Sequence, residues 1–175
     1  MMATKMVSCK NCLNPVEIEK TVCKVCKSSQ DRLNQIHQLS DDPNSILDFL
    51  RSFRNKKYLY DVSIGISGGV DSCMVATLAG EAGLRAKLVH FDNGWNTNKA
   101  NENILSICRK YNFHLETHIM DWDTFKGLQR SFILAGVPDI ELVTDHAIFA
   151  TMIDQLRKYE SPIFLSGANY ATEHG

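Results

Sequence analysis

The sequence predicts an α/β fold, a doubly wound parallel sheet preceded by a small cysteine-rich module, on three observations. From residue 59 onward, short apolar runs alternate with longer segments whose apolar residues recur at helical spacing, which is the pattern of βα units. The apolar run 61–66 passes directly into Ser67-Gly68-Gly69-Val70-Asp71-Ser72 and then into a second apolar stretch, 73–79, so a glycine-rich loop joins a strand to a helix. Ahead of both, four of the six cysteines form two pairs, Cys9-Lys10-Asn11-Cys12 and Cys23-Lys24-Val25-Cys26.

The cysteine pairs define a first module, 1–28. Each CxxC sets two thiolates on one tight turn, and two such turns make the closed tetrahedral sulfur site that zinc prefers. The start of the chain lacks the apolar core of a secretion signal, so a disulfide framework is not expected and a zinc knuckle held by Cys9, Cys12, Cys23 and Cys26 is. A helical linker, 29–58, follows. Leu33, Ile36, His37 and Leu39 suit a helix over 30–39 with Ser29 as cap, and Ile46, Leu47, Phe49, Leu50 and Phe53 form the apolar face of a second helix starting near Asn44 or Ser45.

The third module, 59–175, carries predicted strands at 60–66, 86–91, 114–119 and 162–165 and predicted helices at 72–82, 99–111, 125–135 and 146–159. Strands this apolar belong in a parallel sheet covered on both faces, whose ligands bind beyond the carboxyl ends of the strands. Segments 67–72, 92–96 and 166–173 would converge there. The sequence runs only ten residues past the fourth strand, so a domain incomplete at its C-terminus, lacking a fifth strand and a closing helix, is the expectation.

The strand–loop–helix junction suits polyphosphate. Two glycines admit a close anion, and a helix start offers unpaired N–H groups with a partial positive charge. The GK[ST] lysine of the P-loop is absent and GxGxxG is not satisfied. Ser67, Gly68, Gly69, Val70, Asp71 and Ser72 are therefore the candidate polyphosphate-binding residues, with Asp92 and Asn93 at the end of the second strand; the resemblance given below implies that the polyphosphate is ATP. A carboxylate beside polyphosphate needs a cation between them, which makes Asp71 a magnesium ligand; a helix cap is its bland alternative. Trp95 offers a stacking surface for adenine or a sugar, and Thr97 reads as a helix cap. His90, His114 and His118 read as hydrogen-bonded core or edge residues, and Cys73 and Cys108 as small buried hydrophobes. Asp121 and Asp123 are helix-start carboxylates or contacts to substrate hydroxyls. For His146 a catalytic and a capping role stand side by side.

The loop resembles the SGGxDS signature of the PP-loop ATP pyrophosphatases, which implies an adenine nucleotide α-hydrolase-like fold and cleavage of ATP between its α and β phosphates. Ser166-Gly167-Ala168-Asn169-Tyr170-Ala171-Thr172-Glu173 resembles the GTxN…E turn of the ammonia-dependent NAD synthetases, and that likeness implies a catalytic, magnesium-binding role for Glu173. Together with the cysteine pairs and Asn93-Gly94-Trp95-Asn96-Thr97, the chain resembles the N-acetyl sugar amidotransferases of the WbpG/PseA group over nearly its whole length, 9–173. Two departures stand out: Val70 where many members carry lysine, and Asp92-Asn93-Gly94 ahead of the tryptophan.

This resemblance implies that the enzyme uses ATP, Mg2+ and Zn2+ to convert an N-acetyl group of an amino sugar into an acetamidino group, in surface polysaccharide or nonulosonic acid biosynthesis. Ammonia would come from a partner glutaminase; Trp95, Asn96, His146 and Asn169 would touch the sugar, and Asp71 and Glu173 would be catalytic. A tRNA-thiolating PP-loop enzyme is the alternative, and a non-catalytic zinc-containing adaptor a second. The formal net charge of -1 argues against a nucleic-acid partner. No apolar run approaches the roughly 18 residues of a membrane span, so a cytoplasmic enzyme is expected.

Overall fold

The computed structural model describes residues 6–17, 19–38, 43–158 and 160–168, which fall into two compact units divided ahead of Pro43. In the first, an antiparallel ribbon of β1 (Met6–Ser8) and β2 (Pro15–Glu17) precedes helix α1 (Lys24–Gln38). The helix starts earlier than its apolar spacing indicates, because the second cysteine turn is wound into its first turn; Ser29 is therefore interior to the helix and does not cap it. Leu39 lies outside the described residues. Cys9, Val16 and Cys23 form a core with half-buried Cys26. So few apolar side chains cannot hold a fold unaided, which makes the sulfur cluster the organising element.

The second unit, Pro43–Ala168, begins with α2 (Pro43–Arg51), whose first residue is a proline pre-set for the first helical turn. Then come β3 (Val62–Gly65), α3 (Val70–Glu81), β4 (Ala86–Asp92), α4 (Asn98–Tyr111), β5 (His114–Ile119), α5 (Trp122–Leu134), α6 (Leu142–Arg157) and β6 (Phe164–Leu165). The four strands are parallel in the order β5-β4-β3-β6. The chain steps outward from β3 to β5 and then returns to the other side of β3. Right-handed crossovers in opposite directions place their helices on opposite faces of the sheet. Strand order therefore reverses at the carboxyl end of β3, where the glycine loop begins.

Register sets Ile64, Leu88 and Leu115 side by side on one face. There Val62, Ile64, Ile66 and Leu88 pack with Ala76 and Ala79 of α3, Ile104 of α4 and Leu50 of α2. The opposite face is polar. Lys87, 4% exposed, meets Glu116 at 2.5 Å and also pairs with Glu160. Glu116 accepts from Lys158 at 2.7 Å and from Gln155 of α6 at 2.8 Å. The expectation of strands sealed on both faces holds for Ala86–Val89 of β4 but not for β5, whose residues are half-buried or exposed, because β5 is an edge strand. Among the described residues no helix is long and apolar enough to cross a membrane.

Candidate functional site

The loop after β3 is held from three sides. Gly68 is buried at φ +81°, and a Cβ there would lie 2.4 Å from the Ala100 carbonyl oxygen of α4. Asn103 of α4 donates from Nδ2 to the Gly68 carbonyl at 3.0 Å. From inside, Ser72 accepts the Ser67 N–H at 3.2 Å, meets the Ser67 hydroxyl at 3.1 Å and donates to the Gly69 carbonyl at 3.3 Å. From behind, Gly167 abuts α3: a Cβ on it would stand 2.7 Å from the Ser72 nitrogen. The sequence reading did not single out Ala100 or Asn103. An alanine and an asparagine outside a motif carry no signal until the fold brings them to the loop.

Gly69 differs. It is the N-cap of α3 in extended conformation with no side-chain capping bond, so no capping side chain covers the amides of the first turn. A Cβ there would meet nothing nearer than the Ser67 hydroxyl at 3.5 Å. Among the described residues nothing requires glycine at 69. Such a bare helix start, with its partial positive charge, is a cradle that fits phosphate oxygens. Asp71 is exposed in the first turn of α3 and is not its cap. Val70 is 78% exposed.

The turn after β4 is tied to the same loop. His90 is buried and meets the Ile66 carbonyl through Nδ1 at 2.8 Å, while the Asn96 amide lies 3.1 Å from Nε2. With Nδ1 carrying the proton, Nε2 accepts from Asn96, whose Nδ2 also donates to Asp92 at 2.8 Å. Asp92 further accepts the Gly94 N–H at 2.8 Å and Asn93 the Trp95 N–H at 3.1 Å. His90 is thus the hydrogen-bonded core histidine the sequence suggests, and it clamps the 92–97 turn to the end of β3. His90→Phe should cost about 1–3 kcal/mol, since it strands a buried carbonyl and an amide; urea unfolding measures it.

Thr97 caps α4, accepting the Ala100 N–H at 3.2 Å, and Asp121 caps α5, accepting the Thr124 N–H at 2.9 Å, which settles Asp121 as a cap. Trp95 and Trp122 flank buried Phe125 with ring centroids 5.4 and 6.1 Å away, beside the 92–97 turn. His146 sits inside the first part of α6, its Nδ1 turned to the Leu142 carbonyl at 2.8 Å, so it does not cap. Burial raises the Cys73 and Cys108 thiols above their ordinary range, as inert half-buried cysteines require. Asn169 and Glu173 lie outside the described residues.

In the first unit, the sulfurs of Cys9, Cys12, Cys23 and Cys26 lie within 4.8 Å of one another. The Cys9–Cys26 and Cys12–Cys23 sulfurs are 3.9 and 3.4 Å apart. Tetrahedral Zn–S bonds of about 2.3 Å require a similar spread. Backbone N–H groups of Asn11 and Cys23 reach the Cys9 sulfur at 3.4 and 3.2 Å and hold that thiol down at about 6. The crowded thiol of Cys12, with burial, pushes Cys26 up, the opposition a divalent cation relieves. This donor set fits zinc. One zinc per chain should be measurable by atomic absorption, and Cys23→Ser should abolish it and unfold the ribbon, read by hydrogen exchange.

The chain matches the family model described as queuosine biosynthesis protein QueC over residues 62–173. No curated protein sequence matches it. Among solved structures it is similar to the NH3-dependent NAD synthetase of Campylobacter jejuni subsp. jejuni NCTC 11168, with a TM-score of 0.50 at 20% identity over 68% of this chain and 52% of that one. It is also similar to the glutamine-dependent NAD+ synthetase of Acinetobacter baumannii solved with ADP, with a TM-score of 0.55 at 16% identity over 88% of this chain and 27% of that one. The NAD+ synthetase of Burkholderia pseudomallei matches with a TM-score of 0.50 at 13% identity, over 79% of this chain and 68% of its own. The chain thus spans about half the length of the Campylobacter enzyme. These likenesses share the parallel sheet, and the family match covers more than half of the chain, from β3 through the phosphate loop to the segment after β6; the protein belongs to the QueC family, within the PP-loop ATP pyrophosphatase superfamily.

Proposed function

We propose that this protein is an ATP-dependent, AMP- and pyrophosphate-forming amidotransferase that converts the N-acetyl group of an amino sugar into an acetamidino group. The observation that carries the ATP half is Gly69, a bare helix start that the packing leaves open to phosphate oxygens. The acetamido oxygen attacks the α phosphorus, forming a P–O bond as the α–β bridge breaks and pyrophosphate leaves along the 67–72 loop. Ammonia then adds to the imidate carbon, loses a proton, and AMP departs with the former acetamido oxygen. Backbone amides of Gly69, Val70 and Asp71 would bind the departing phosphates, while Ser72, closed within the loop, shapes it. A magnesium ion held by Asp71, with Glu173 as its second carboxylate, would offset the phosphate charge.

A partner glutaminase as ammonia source, a cytoplasmic setting and sugar contacts by Asn96, His146 and Asn169 belong to the same proposal. The acceptor is argued from the Trp95 turn and from the cysteine module, which lies outside the family match at 62–173. The family match favours a second reading, in which the acceptor is a precursor in queuosine biosynthesis, as the family's description has it. ATP–pyrophosphate exchange decides: exchange that depends on acetamido sugars supports the first reading, and exchange driven only by queuosine precursors replaces it with the second. Asp71→Asn should lower AMP formation at least about 100-fold while leaving the melting temperature unchanged; an inert adaptor would form no AMP in either protein.

A further inference from the structure

The peptide joining Gly68 to Gly69 is the one peptide of the 67–72 loop with glycine on both sides. Its carbonyl and its N–H lie in one plane and point in opposite directions, so fixing one aims the other. With no Cβ on either neighbour the plane can turn over at little steric cost, and the chain itself does not choose its direction. A carbonyl turned toward phosphate oxygens sets acceptor against acceptor, whereas an N–H turned toward them donates. The direction of this peptide therefore decides whether the loop attracts or repels an anion. Asn103 of α4 makes that choice, donating from Nδ2 to the Gly68 carbonyl at 3.0 Å. The Gly69 N–H consequently points away from α4 and reaches the Ser67 hydroxyl at 3.4 Å, a long bond that a better acceptor replaces, and Gly69 itself is exposed. The platform under Asn103 is firm: Thr97 caps α4, Ala100 abuts Gly68 one turn before Asn103, and Ile104, next in the chain, is buried in the core.

We infer that Asn103 is a positioning residue for polyphosphate: by holding the Gly68 carbonyl against α4, it presents the Gly69 N–H to the phosphates that leave. It acts through the 68–69 peptide and not by touching the nucleotide. The inference rests on the reading of this loop as the ATP site and is independent of the acceptor, so it is the same for an amino sugar and for a queuosine precursor.

The full chain and three variants are titrated calorimetrically with MgATP, magnesium pyrophosphate and AMP, and their urea midpoints are measured. Asn103→Leu keeps the bulk and removes the donor without adding charge, which makes it the deciding variant. Asn103→Asp keeps the shape but offers only acceptors, so it draws the Gly69 N–H round to α4. Asn103→Gln keeps the donor on a longer arm. Losing one backbone donor to an ionised phosphate should weaken MgATP and pyrophosphate at least about tenfold in Asn103→Leu. Asn103→Asp should lose more, and Asn103→Gln should recover part of the affinity. AMP, which lacks the phosphates that leave, should bind all four proteins alike. An Asn103→Leu protein that unfolds at lower urea yet binds MgATP as the wild type does has a merely structural asparagine, which overturns the inference; a loss that falls equally on AMP does the same. If Asn103→Leu fails to fold, equal MgATP affinity in Asn103→Gln and Asn103→Asp overturns it. A wild-type protein that binds neither MgATP nor pyrophosphate overturns the ATP reading of the loop together with the inference, whereas wild-type binding that Asn103→Leu leaves intact overturns the inference alone.

Discussion

Gly69→Ala is expected to leave the protein folded and to weaken MgATP binding at least about 100-fold, whereas Gly68→Ala, one residue earlier, should destabilise the whole second unit by about 3 kcal/mol or more. The two glycines answer to different neighbours. At 68, φ of +81° and the Ala100 carbonyl 2.4 Å from a new Cβ make alanine both strained and overlapping with backbone that cannot move aside. At 69 the backbone is ordinary and the nearest atom is 3.5 Å away, so the methyl costs about 1 kcal/mol as an N-cap change, well below the cost at 68. It does occupy the approach to the amides of the first turn of α3. Urea unfolding and calorimetric titration with MgATP, run on both variants, separate the effects. Wild-type ATP affinity in Gly69→Ala would falsify the phosphate cradle.

Glu116→Leu is expected to cost about 1.5–3 kcal/mol, because it leaves the Lys87 ammonium, 4% exposed, with Glu160 alone in place of two carboxylates. Burial alone would raise the Glu116 carboxyl; bonds from Lys158, Lys87 and Gln155 outweigh it and hold it well below the usual carboxylate range. For Lys87, burial opposes the charge, and the bonds to Glu116 and Glu160 prevail and raise it. A depressed carboxyl contributes stability that is present above its unfolded value of 4.5 and lost as pH falls below it. A raised ammonium contributes stability that is complete below its unfolded value of 10.5 and lost as pH rises past it. The contribution of this pair should therefore be flat between those limits, and Glu116→Leu should lose much of the acid slope. The double variant Lys87→Met with Glu116→Leu should recover much of the loss, since two apolar side chains leave no stranded charge at this pair. Denaturant midpoints across pH check both.

Glu116 and Lys87 also mark where sequence reading stopped. A lysine at the second position of an apolar strand looks like a solvated strand end. Only the register of β4 with β5 and the return of the chain after α6 bring Glu116 and Glu160 to it. The same limit applies at the loop. SGGVDS is local, so its glycines and its strand–helix junction are legible from spacing alone, but the partners that lock it, Asn103 and Gly167, lie one or more crossovers away. Trp95 was legible as an aromatic on a turn; that it packs against Phe125 opposite Trp122 follows only from α5 lying beside that turn. Helix starts shifted for a related reason: Val70 and Asp71 join α3 because the chain turns at Gly69, and apolar periodicity does not register the polar first turn of a helix.

What the sequence by itself determined is whatever rests on contiguous residues: the alternation that makes an α/β fold, the two cysteine turns that bring four sulfurs together, and the glycine loop that leads into a bare helix start. What only the tertiary structure decided is which carbonyls, carboxylates and indoles meet across strands and helices. Strand order and crossover direction bring residues 35 to 95 positions apart within hydrogen-bond or packing distance of the same loop, as with Asn103 against Gly68 and Gly167 against Ser72. No local propensity encodes that pairing, because it is set by burying one face of each element at once.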